Sequence, residues 1–244
     1  MKQLRLYAGI FLIMPLSLTA CTKEETKANQ ATVTGKITDA NDHPLNAVKT
    51  SIEHTVWLDN YVFAVTDDNG MYKANLPSEP AGTWTAKAQL ERTAYGKTYK
   101  FDLEPSSTEP FDKNNKVVRN FTWKLTGKRS GSEKFYGAHI DLYTFGTTIS
   151  LQDVKLILTP LEPTLIDGSP AQTLEKTVAD ISGTFMATDI PVGRYSVKAV
   201  YQNKTLSIDN RHDDGQPALS KEVVFGKSGY LGETEYNIEF WVTE

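Results

Sequence analysis

The sequence is almost without cysteine and poor in histidine: it has one cysteine, Cys21, and four histidines in 244 residues. A lone thiol closes no disulfide within the chain, so the fold must stand on its packed core. His43, His54, His139 and His212 are scattered, and with cysteine lacking the sequence draws no transition-metal set. Neither H-E-x-x-H nor G-x-S-x-G occurs. "GKSG" at Gly226 to Gly229 lacks the earlier glycine of a phosphate-binding loop, since Lys221 stands there, and the residues after it read as a turn and a strand. The expectation is a non-catalytic protein without a cofactor. Positive charge is scarce as well. Removing Lys2 and Arg5 with the first twenty residues leaves 24 basic against 30 acidic side chains, a net charge of −6. That balance gives no basic footprint for nucleic acid and no basic patch for anionic lipid. Long apolar runs are missing too, with one exception at the start of the chain.

That exception is Leu6 to Leu18, preceded by Lys2 and Arg5 and followed by Thr19 and Ala20. A cationic start, an apolar middle and small residues before a cut describe a secretory signal peptide over residues 1–20. The run is shorter than the roughly 20 apolar residues that a membrane-spanning helix needs. "LTAC" resembles the lipobox of bacterial lipoproteins. The resemblance implies cleavage between Ala20 and Cys21 and lipidation of Cys21, with residues 21–31 as a polar tether. Several acyl chains anchor firmly where one gives only marginal binding. Lys23, Glu24 and Glu25 resemble the surface-export signal of Bacteroidota lipoproteins; they read equally well as a solvated spacer. The location this implies is the outer membrane, lipid-anchored and facing outward.

The rest of the chain shows short alternating runs and no convincing amphipathic helix. Val33, Gly35 and Ile37 share a face, as do Val117, Phe121, Trp123 and Leu125. So do Val154, Leu156 and Leu158; Tyr195, Val197 and Ala199; and Tyr236, Ile238, Phe240 and Val242. Period-two runs between Asp, Asn, Gly and Pro clusters predict antiparallel strands, and several in about 100 residues predict a sandwich. A segment from Val65 recurs from Val178. Gly70 matches Gly183, Tyr72 matches Phe185, Leu76-Pro77 matches Ile190-Pro191, and Lys87-Ala88 matches Lys198-Ala199. The shared pattern predicts a hairpin whose turn is an acidic residue and glycine. The fold class expected is therefore all-β, with two tandem antiparallel β-sandwiches over residues 32–125 and 135–244, joined by a polar linker at 126–134.

"VTGKITDANDHPL" and "TDDNGMYKANLPSEPAGTW" resemble the carboxypeptidase regulatory-like domain. The matching residues are Val33, Gly35, Ile37, Asp39, Pro44, Leu45, Thr66, Asp67, Gly70, Tyr72, Leu76, Pro77, Gly82 and Trp84. The resemblance covers about residues 32–125 and implies a transthyretin-like β-sandwich used as an accessory module; similar sandwiches include carbohydrate-binding ones. Two departures stand out: "LPSEPAG" is longer than usual, and Ala47 stands where a glycine commonly follows the "PL" turn.

Candidate ligand-binding residues are few. Trp57 and Tyr61 could stack on a sugar, but they share a face with Phe63 and Val65, which favours a core face. Tyr95 and Tyr99 are expected on the surface of a hairpin. Trp84, Trp123, Tyr195 and Phe240 are expected in cores. Asp209, Asp213 and Asp214 could offer oxygens to calcium, but without the spacing that wraps one ion, so a solvated turn is favoured. The function these readings point to is a non-catalytic cell-envelope lipoprotein that binds or scaffolds a glycan, a peptide or a partner protein. The alternative is a structural or adhesive surface subunit that self-associates through edge strands.

Overall fold

Alternation of apolar and polar residues builds the chain into strands, and turn residues set where each strand stops. The computed structural model describes residues 31–113, 116–144, 147–212 and 215–244. The signal peptide expected at 1–20 and all but Ala31 of the tether expected at 21–31, Cys21 included, lie outside these residues, as do Asp213 and Asp214.

The first sandwich contains β1 (Thr32–Thr38), β2 (Lys49–His54), β3 (Tyr61–Val65), β4 (Met71–Asn75), β5 (Thr83–Ala94), β6 (Lys97–Asp102), β7 (Glu104–Pro105), β8 (Phe111–Asp112), β9 (Val117–Val118) and β10 (Phe121–Thr122). One sheet runs β4-β1-β10-β7, with β9 also on β1; the other runs β3-β2-β5-β6, with β8 on β5. Val33, Ile37 and Tyr72 from one sheet and Ile52, Trp84, Leu90 and Phe101 from the other are buried in the core.

The second set of strands is β11 (Ala138–Thr144), β12 (Lys155–Pro160), β13 (Leu174–Thr177), β14 (Ala179–Ile181), β15 (Thr184–Ile190), β16 (Arg194–Tyr201), β17 (Lys204–Asn210), β18 (Lys221–Val224), β19 (Gly226–Lys227) and β20 (Tyr236–Thr243). A 3-10 turn at Leu151–Asp153 is the one helical element among the described residues. The pairings repeat those of the first set. β12 lies between β13 and β16 as β2 lies between β3 and β5. β16 takes β17 and β18 as β5 takes β6 and β8. β11 pairs β15 as β1 pairs β4. The second set differs in that β17 also pairs β20, which joins its strands into one continuous sheet.

Three differences from the sequence reading have physical causes. β1 pairs in parallel with β9 and β10, and β11 with β20, because the last strand of each set returns beside the first. A period-two pattern carries no information about strand direction. The turn after Val65 does not close a hairpin in the first set, since β3 pairs β2 and β4 pairs β1; it carries the chain from one sheet to the other. Its counterpart does close a hairpin, with Ser182 and Gly183 at positive φ between Ile181 and Thr184. Finally, residues 126–134 are folded: Lys128 bridges Phe135, and Arg129 reaches Asp102 at 2.8 Å.

Two positions of the first sandwich are explained by close approach and by φ. A Cβ on Gly35 would lie 1.8 Å from the Arg119 carbonyl oxygen, which also accepts a hydrogen bond from Tyr72 Oη at 2.7 Å. Only glycine lets the β9–β10 link lie across β1 here. Ala47 adopts φ 58, a left-handed conformation that glycine takes without strain. Gly35→Ala is expected to cost about 2–3 kcal/mol, as overpacking against backbone does. Ala47→Gly is expected to stabilise by up to about 1 kcal/mol, the left-handed strain relieved less the chain entropy glycine adds. Urea denaturation monitored by tryptophan fluorescence checks both, with Gly229→Ala, where a Cβ meets nothing within 4 Å, as the neutral control.

Candidate functional site

Two of the residues singled out from sequence, Trp57 and Tyr61, lie at one edge of the first sandwich, with the side outward that was expected inward. Trp57 is 59% exposed, Tyr61 45%, Phe63 56% and Val65 59%. The core-face expectation for this group is therefore corrected. Val62 and Ala64 pack against the core instead. Alternation identifies the residues that share a face and leaves open which face is inside.

β3 is an edge strand and pairs only with β2 among the described residues. The ladder shows where its backbone groups point. His54 N–H donates to Asn60 O at 3.0 Å, and Thr66 N–H donates to Val48 O at 3.1 Å. Between them lie the opposed pairs Ile52/Val62 and Thr50/Ala64. Bonded and non-bonded pairs alternate in an antiparallel ladder. Tyr61, Phe63 and Val65 therefore turn their N–H and C=O groups to the open side. Those same residues carry the exposed side chains.

The outward face beside this edge is polar. Lys49, Ser51 and Glu53 on β2 stand opposite Val65, Phe63 and Tyr61, and Gln89, Lys87 and Thr85 on β5 continue the rows. The Tyr61 and Phe63 rings stack with centroids 6.0 Å apart and planes at 14°. Lys49 Nζ lies 4.4 Å from the Phe63 centroid, and Lys87 pairs with Glu53 at 2.6 Å. Together these side chains line a shallow depression of about 300 Å³.

The loop that leads into β3 adds Val56, Trp57 and Leu58 to the exposed apolar surface. His54 holds this loop. Its Nδ1 accepts the N–H groups of Val56 at 3.1 Å and Trp57 at 3.0 Å, which leaves Nε2 to donate to Ala81 O at 3.1 Å. The ring meets Trp84 edge-on at 4.9 Å. A Cβ on Gly82 would sit 2.7 Å from His54 Nε2, so the motif glycine keeps room for the imidazole.

Three other sequence candidates lie elsewhere. Tyr99 is 1% exposed, which corrects the surface expectation: its hydroxyl donates to Phe225 O at 3.1 Å, between the two sandwiches. Tyr95 is half-buried at the β5–β6 turn with φ 53 and packs against the core. Asp209 Oδ1 accepts from Lys221 Nζ at 2.9 Å, so that carboxylate already has a cation. Trp84, Trp123, Tyr195 and Phe240 are buried as expected. Sequence reasoning missed Phe63 and Val65 as surface residues. The signal that could have found them is the run "YVFAV", whose small alternate residue Ala64 suits a tight interior.

No protein-family model and no curated protein sequence matches the chain. Among solved structures it is similar to the TIE protein of Bacillus anthracis, at 9% identity and a TM-score of 0.32, over 87% of this chain and 34% of that one. It is similar to a streptococcal ancillary pilin at 12% identity and 0.29, over 87% and 63%. It is also similar to the major pilin subunit of Bacillus cereus at 8% and 0.26, over 88% and 100%. The chain thus spans less than two thirds of the first two. TM-scores of this size carry no argument about function, which has to come from the residues themselves.

His54→Phe keeps a ring in the same space and removes both nitrogens. Hydrogen exchange at the Val56 and Trp57 amides is expected to accelerate, with stability lower by about 1–3 kcal/mol. Unchanged exchange would show that the loop is held by something other than His54.

Proposed function

We propose that the protein is a structural or adhesive subunit of the cell surface that self-associates by adding β3 to the same strand of a second copy. The observation that carries this reading is the composition of that edge. "YVFAV" has no charge and no proline, the devices that keep exposed edges from pairing. Its topological counterpart β13 reads "LEKT" and is guarded: Glu175 pairs with Lys155 at 2.6 Å, and Lys176 Nζ donates to Asp189 O. The same position is thus protected in one sandwich and bare in the other. An antiparallel pair centred on Phe63 places Phe63 opposite Phe63 of the second copy and Tyr61 opposite Val65, a self-complementary two-fold contact. The free N–H and C=O groups then find partners and the apolar side chains gain cross-strand neighbours.

The lipid anchor on Cys21, the outer-membrane placement and the outward-facing orientation belong to this proposal and rest on the residues of the N-terminus. A second reading has its own observation. The near-parallel Tyr61 and Phe63 rings, bordered by Glu53, Lys87 and Gln89, offer an apolar strip and polar flanks of the kind that holds a glycan. A peptide or another envelope protein added to the same edge would use the same backbone groups.

Sedimentation velocity of the chain without residues 1–21 separates the readings. The average mass is expected to rise with concentration, and Phe63→Lys is expected to give a monomer throughout with an unchanged melting temperature. A wild type that stays monomeric at every concentration overturns self-association and leaves the aromatic strip to be tested on a glycan array.

A further inference from the structure

Away from that edge, the second sandwich buries a carboxylate that the rest of its structure does not account for. Asp141 is 0% exposed. Its Oδ2 accepts from Tyr230 Oη at 2.7 Å and from Asn237 Nδ2 at 3.0 Å, while Oδ1 has no hydrogen-bond partner among the described residues. A buried carboxylate oxygen left unpartnered is costly and calls for a cation, a water or a ligand. The acids around it already have cations: Glu235 pairs with Lys134, Glu133 with Lys128 and Glu239 with Arg211. The nearest group to Oδ1 able to carry positive charge is His139, whose Nε2 is 3.6 Å away, beyond hydrogen-bond reach.

Two of the donor separations, one of them a long hydrogen bond between His139 and Tyr230, have the size that a bridging ion gives. His139 Nε2 is 3.6 Å from Asp141 Oδ1 and 3.3 Å from Tyr230 Oη. Ligand atoms bound tetrahedrally at zinc distances lie about 3.3 Å from one another. His139 and Tyr230 also line a cavity of about 340 Å³, with Phe135, Met186 and Leu231 on its apolar side. We propose that His139 Nε2, Asp141 Oδ1 and Tyr230 Oη hold a divalent transition-metal ion of the zinc class, with its remaining coordination position open to this cavity. Imidazole with carboxylate and phenol oxygen is a borderline donor set that suits zinc over calcium or magnesium. Asn237, and Tyr230 before it ligates, orient the carboxylate through its other oxygen, as outer-shell partners of metal ligands do. The scattered histidines of the sequence gave no sign of this, because the third donor is a tyrosine some ninety residues along the chain.

The test is calorimetric titration of the chelator-treated protein with zinc chloride, repeated with His139→Gln, Asp141→Asn and Tyr230→Phe. One equivalent of zinc is expected to bind the wild type and raise its melting temperature. His139→Gln and Asp141→Asn are expected to lose this binding while remaining folded by circular dichroism. Cobalt in place of zinc is expected to give visible bands that Tyr230→Phe shifts. Asn237→Ala, which leaves all three donors, is expected to weaken binding by about 10–100-fold. Absence of heat and of thermal shift in the wild type overturns the site. So does binding that His139→Gln leaves unchanged, since it would place the ion on another histidine.

Discussion

The Tyr236 hydroxyl sits on the free edge of β6 and stands in for a strand that is not there. It accepts the Lys100 N–H at 2.5 Å and donates to the Lys100 carbonyl at 3.0 Å. Burial raises the Tyr236 phenol above its usual value, so it keeps the proton it donates. The two sandwiches hold together around this contact. Tyr236 meets Tyr99 edge-on at 5.0 Å, and Tyr99 and Lys97 reach the carbonyl of Phe225. Asp102 closes the end of β6 by accepting from Gln89, Arg129 and Thr234. Arg129 belongs to the polar segment between the sandwiches, so the side chains that make that segment look like a linker are those that bind it down.

Every sheet edge poses the same problem of unpaired backbone groups, and the chain solves it differently from one edge to the next. β6 is closed by Tyr236. β13 carries Glu175 and Lys176, and β4 presents Lys73 between Met71 and Asn75. β17 removes an edge by pairing with β20. Beside these, β3 has neither a charge nor a cover, and the His54 clamp holds a further apolar loop next to it. A structure that guards those edges and leaves this one apolar carries a solubility cost there, which the association proposed above would offset.

Much of this was legible in the residues. Period-two runs placed Trp84, Trp123, Tyr195 and Phe240 inside, and the recurrence of Gly70 and Tyr72 as Gly183 and Phe185 marked a topology used twice. Tyr99 was legible and misread: it alternates with Phe101 and Leu103, which are buried with it. What alternation could not give is which face of β3 looks inward, since Tyr61, Phe63 and Val65 are as apolar as a core face. Strand direction was equally silent, because the parallel return of β10 and β20 depends on where the chain travels between strands. Residue spacing had no means of finding the Asp141 cluster. Its members are joined by the pairing of β11 with β20 and by the turn at Tyr230.

That turn shows how the two copies of one topology come to differ. In the first sandwich β1 is crossed by the β9–β10 link, which presses so close that Gly35 must lack a side chain. In the second, Tyr230 of the turn before β20 reaches the buried side chains of His139 and Asp141 on the equivalent strand β11. At Gly35 the crossing backbone leaves no room for a side chain, whereas β11 carries a polar pair that the turn reaches through a hydroxyl. On the two proposals, the duplicated fold would divide its tasks between its copies: the first offers backbone at its rim, and the second holds a side-chain cluster beside the turn at Tyr230.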